Sequence, residues 1–96
     1  MNLGRRFRRN ERIAGRSIAG ESFLIPVCGE PADLENIFVM NPLADFIWQR
    51  LDEQHTLEMI VTEIVENFAV ERAQASADAN ELVGRLLANH LIEEVA

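Results

Sequence analysis

The chain has 96 residues, 48% of them hydrophobic, with a single Cys and a formal net charge of −7, which suits one folded domain rather than a disordered segment. No apolar run approaches the roughly 20 residues a bilayer crossing needs, and no apolar stretch follows the charged N-terminus as a secretory signal would. One Cys excludes an internal disulfide and suits a reducing compartment, so the expectation is a cytoplasmic protein with no membrane partner.

Charge is divided unevenly along the chain. Residues 1–16 carry six Arg and one Glu, a balance of +5, whereas the remainder carries three Arg against fifteen carboxylates, a balance of −12. The stretch 1–11 therefore reads as a basic flexible N-terminal arm and 12–96 as the folded domain.

Residues 12–40 read as strands. Ile13 and Ile18 flank Gly15, and Gly20 marks a turn before "SFLIPV", where Phe23, Ile25 and Val27 alternate with Ser22, Leu24 and Pro26. Pro26 has no N–H to donate, so it belongs at a strand end, an edge or a bulge. The segment "CGEPADLEN" returns the chain as a loop, and "IFVM" is the third strand, with Phe38 and Met40 on one face and Ile37 and Val39 on the other. The connections are too short for parallel crossovers, which predicts an antiparallel meander.

At residue 41 the period becomes helical. Asn41 suits an N-cap and Pro42 the first helical position, where a missing N–H costs nothing. Leu43, Phe46, Ile47 and Leu51 form the apolar stripe, with Trp48 at its margin. Thr56 caps a second helix in which Leu57, Ile60, Val61, Ile64, Val65 and Phe68 share a face and Glu58, Glu63 and Glu66 oppose it. A third helix runs from near Arg72 to about Asn89, its inner stripe being Ala75, Ala79, Leu82 and Leu86. One residue on, rotated about 100°, Ser76, Asn80, Val83 and Leu87 form a half-polar row suited to the lip of a groove. Gly84 beside it costs about 1 kcal/mol of helix stability relative to Ala, which fits close approach of another backbone or a tolerated surface Gly. Leu91 and Ile92 then pack back on the core. The predicted fold class is α+β and winged-helix-like: a three-stranded antiparallel β meander followed by three α-helices.

Chemistry is sparse. No spacing connects Cys28 to a base, His55 and His90 belong to no metal-ligand pair, and no Gly-rich phosphate loop occurs. The sequence therefore predicts no enzyme, no cofactor and no metal. Two binding functions remain. A winged-helix nucleic-acid-binding protein would need cations on its recognition helix, and only the Arg-rich arm offers them. A peptide-binding module would instead use the third strand as an edge, pairing its free N–H and C=O groups with an extended guest. The same edge permits two copies to pair as a homodimer.

The order and spacing of several residues point to the second reading. Met40-Asn41 closes the third strand, Ile47-Trp48 and Leu51-Asp52 follow, then Thr56, Ile60 and Ile64, then Asp78, Leu82 and Leu86, and finally Leu91-Ile92. Over roughly residues 12–95 the chain resembles the PqqD-like family, the peptide chaperones of pyrroloquinoline quinone biosynthesis and the related RiPP recognition elements. That resemblance implies a non-catalytic protein that binds the leader of a ribosomally synthesised precursor peptide as an added strand. It would present the peptide to a modifying enzyme, often a radical SAM protein. Carried onto this chain, the edge becomes Asn36, Ile37, Phe38, Val39 and Met40. The helical wall becomes Asn80, Val83, Gly84 and Leu87, with Arg85 placed to meet an acidic peptide side chain. Two positions depart from the family pattern: Glu53 and His90 stand where the family has Gly. Both positions favour left-handed backbone, so each substitution costs about 1 kcal/mol.

Overall fold

The computed structural model describes residues 4–26 and 38–95. The expected meander is formed by β2 (Ile13–Ile18), β3 (Glu21–Pro26) and β4 (Phe38–Met40), antiparallel and in the sheet order β2-β3-β4. Ile18 pairs with Glu21, leaving the two-residue turn Ala19-Gly20 with φ of 52° and 83°. Positive φ at both central residues gives the backbone twist that two-residue hairpins require, and Gly20 meets it without steric cost. Pro26 falls at the strand end, opposite Ile13. Val27 and Cys28, with the segment 29–37, lie outside the described residues.

The three helices also form where expected: α1 (Pro42–Gln49), α2 (Leu57–Phe68) and α3 (Arg72–Ala88). Asn41 caps α1, its Oδ1 accepting from the Ala44 N–H at 2.8 Å. Thr56 caps α2, its Oγ1 accepting from the Met59 N–H at 3.2 Å. The end of α3 is a Schellman motif: the Leu91 N–H reaches the Leu86 carbonyl, and the His90 N–H reaches that of Leu87. The motif needs left-handed backbone at His90, whose φ is 59°; Glu53 likewise has φ 71°. Both departures from Gly thus sit where the backbone favours Gly.

The basic arm expected over residues 1–11 is not what residues 6–9 form. They make β1 (Arg6–Arg9), the middle strand of a second antiparallel sheet, between β5 (Asp52–Thr56) and β6 (Ile92–Val95). The physical reason is Phe7, which is 0% exposed and joins a core with Leu51, Leu57 and Ile92. Burying such a side chain contributes about 1.5–3 kcal/mol. The flanking arginines find carboxylates: Arg5 Nη2 lies 2.9 Å from Glu94 and Arg8 Nη2 lies 2.8 Å from Glu93. Two sheets and three helices therefore make up the described α+β fold, with the second sheet interleaved among the helices.

Trp48 of α1 sits between the two sheets. The Arg9 guanidinium of β1 lies 6.0 Å from its ring centre, and a Cβ on Gly15 of β2 would come within 3.3 Å of its Nε1. Glycine at 15 admits the indole. On the other side, His55 of β5 lies between Asp52 at 3.0 Å and Glu63 of α2 at 3.3 Å, and Arg50 approaches Glu63 at 3.3 Å. Arg50 also covers Phe46, which meets Phe68 edge to face at 5.1 Å.

Candidate peptide-binding groove

Among the described residues, β4 pairs on one side only, with β3, in the register Leu24↔Phe38, Phe23↔Val39 and Ser22↔Met40. Its faces divide as the alternation predicts. Met40 is buried and Phe38 packs against the core, while Val39 turns outward and is 61% exposed. Asn36 and Ile37, the other two residues expected on this edge, lie outside the described residues.

The edge differs in character from the two edges of the second sheet. Exposed edge strands usually carry charge, bulges or proline that discourage foreign pairing. β6 reads Ile-Glu-Glu-Val with both glutamates exposed, and β5 is entirely polar, its register against β1 slipping between Arg6 and Arg8. β4 reads Phe-Val-Met and has no such protection.

Beside β4 lies a groove of about 230 Å³. Phe38 and Val39 form one side, and α1 contributes Leu43, Ala44 and Ile47, with Asn41 at the rim. The opposite wall is α3, through Asp78, Glu81, Leu82 and Arg85. The Arg85 guanidinium lies 5.0 Å from the centre of the Phe38 ring, a cation–π contact that ties helix to strand.

The inner stripe of α3 is as expected, with Ala75, Ala79, Leu82 and Leu86 all buried. The lip is on the other flank. Asp78, Glu81 and Arg85 each precede a stripe residue, whereas the expected row follows it, so the two rows lie about 100° to either side of the stripe. Of the residues expected on the helical wall, Arg85 alone lines this groove. Val83 is 2% exposed and belongs to the core, Leu87 packs at the core's edge, and Asn80 donates from its side chain to the Ser76 carbonyl at 2.8 Å. A Cβ on Gly84 would meet nothing within 4 Å, so no described backbone approaches it. The flank that borders this groove is marked in the sequence by two carboxylates beside an apolar stripe, a pattern that resembles an ordinary solvated face.

Electrostatic shifts fall away from the groove. Hydrogen bonds to Glu94 raise the Arg5 pKa, and the same pair lowers that of Glu94. Burial pushes Asp52 up, but hydrogen bonds from His55 and from the Gln54 and His55 backbone N–H groups outweigh it, and the net direction is down. Among the described residues no cluster of His, Cys, Asp or Glu is arranged to hold a metal, and no helix is long and apolar enough to cross a membrane.

The geometry has relatives. The model of the family described as coenzyme PQQ synthesis protein D (PqqD) matches residues 31–92. The solved structure of lasso peptide synthetase B1 complexed with the leader peptide superposes with a TM-score of 0.73 at 25% identity, covering 91% of this chain and 96% of that one. The structure of TbiB1 in complex with the TbiA(beta) leader peptide also gives 0.73, at 21% identity, covering 93% and 98%. No curated protein sequence matches this chain.

Proposed function

The chain belongs to the PqqD family, and from that premise we propose that it is a recognition element for the leader of a ribosomally synthesised precursor peptide. The guest adds as a strand to the outer edge of β4 and sends side chains into the neighbouring groove. One observation carries the reading: an unprotected apolar edge, Phe38 to Met40, borders a groove walled by α3. Main-chain hydrogen bonds supply affinity in this mode and the groove supplies selectivity. A structural relative at 25% identity is a complex with a leader peptide, which supports the same use here.

The protein then acts without catalysis of its own, in the cytoplasm, delivering the peptide to a modifying enzyme of the radical SAM or another class. The nucleic-acid reading loses its support. Arg5 and Arg8 are engaged by Glu94 and Glu93, and Arg9 bonds the Trp48 carbonyl at 3.5 Å, so these three arginines are not part of a free basic tail.

Amide hydrogen exchange on the full chain tests the reading, using a synthetic peptide that spans the leader of a precursor encoded beside this protein. Peptide should slow exchange in β4 while leaving the β6 edge unchanged. Val39→Lys, which places a charge on the edge, should weaken binding about tenfold, or 1.4 kcal/mol, and keep the unfolding midpoint. Protection that appears elsewhere and leaves β4 untouched would rule the reading out.

A further inference from the structure

Resting on the reading of β4 as a strand acceptor, we propose that the groove selects a peptide carrying a basic residue within about three positions of an apolar anchor, with Asp78 and Glu81 as the specificity-determining residues. The floor between Ile47, Leu82 and Phe38 is apolar and takes the anchor. The α3 wall above it is charged, and its charges are ordered along the helix. Asp78 and Glu81 occupy one end and Arg85 the other.

The two ends differ in what they already bind. Arg85 rests on the Phe38 ring. Among the described residues, Glu81 has no hydrogen-bond or ion-pair partner, and the bond to Asp78 comes from the neutral amide of Gln74, at 2.8 Å. Among the described residues, two carboxylates thus border the groove without an ion pair, and the nearest cation on the wall, Arg85, lies one helical turn beyond Glu81. A Lys or Arg side chain would meet half-buried Asp78 and exposed Glu81 at the groove's border, an attraction that salt should weaken. The net charge of −7 steers a cationic segment in the same direction.

The length of the wall bounds the distance between anchor and cation. Seven residues of helix separate Asp78 from Arg85, about 10 Å at 1.5 Å per residue. An extended guest rises about 3.3 Å per residue, so that span covers roughly three of its positions. Arg85 at the far end disfavours a second basic residue there, which gives the guest a preferred direction along β4.

Panning a display library of random linear peptides against the full chain, and in parallel against the Asp78→Lys/Glu81→Lys double variant, tests the proposal. The native chain should enrich Lys or Arg at one position near an apolar residue, with about a tenfold affinity loss when that residue becomes Ala. The double variant should enrich Asp or Glu at that position and keep the apolar anchor. If it does not fold, as judged by circular dichroism, Asp78→Asn/Glu81→Gln takes its place and should erase the preference without reversing it. Apolar peptides enriched with no charge preference, or a preference that neither variant alters, would overturn the selectivity and leave strand capture standing. Failure of the folded native chain to enrich any peptide would sink both.

Discussion

The two sheets solve opposite problems. β1, β5 and β6 come from the start, middle and end of the described chain, and Phe7 locks them to the core. Their outer strands are polar or glutamate-rich. β2, β3 and β4 follow one another, and the last of them presents Phe-Val-Met along a flank that no other described strand pairs. One sheet is built to be closed and the other to be extended. The lesson is that edge chemistry, more than strand count, separates a surface that repels a foreign chain from one that accepts it.

Removing the lock is the strongest way to break this contrast. Phe7→Ala should destabilise the protein by about 3–5 kcal/mol, measured by denaturant unfolding, whereas Val39→Lys on the open sheet should stay within about 0.5 kcal/mol of the native value. A small loss for Phe7→Ala would mean that β1 is dispensable after all. Next in size, His90→Gly relieves left-handed strain just before β6 and should add about 1 kcal/mol, seen as a higher denaturation midpoint with peptide affinity unchanged. The smallest effect concerns pH. The folded pKa of Asp52 lies below its ordinary value, so its contribution is complete above the unfolded carboxylate range and is lost as pH falls through the folded value. Asp52→Asn should therefore be less stable than the native chain at neutral pH, with the gap closing below roughly pH 4. Thermal unfolding across that range checks it, and a gap constant with pH would show that the charge contributes nothing.

Much of the fold was legible in the sequence because its signals are local. Asn41-Pro42 and Thr56 start helices at the expected residues, and the alternation in 22–26 and 38–40 marks strands whose partners lie close in the chain. The second sheet left no such mark. "RFRR" holds one apolar residue among four, "DEQHT" holds none, and their pairing joins residues about fifty or ninety positions apart. The groove was half legible for a related reason. Helical periodicity identified the inner stripe of α3, but a stripe has two flanks that periodicity alone treats alike. Only the placement of α3 across the groove from β4 and α1 decides that Asp78 and Glu81, rather than Asn80 and Leu87, border it.

The register that sets Arg6 opposite Val95 also dictates an order of assembly. Contacts between distant segments form late, because closing a long loop costs entropy before any pairing offsets it. The hairpin around Ala19-Gly20 can zip as soon as its residues leave the ribosome, but β1 waits for β5, about fifty positions on, and then for β6. Until those strands arrive Phe7 lacks its full cover, and β6 completes the docking of β1.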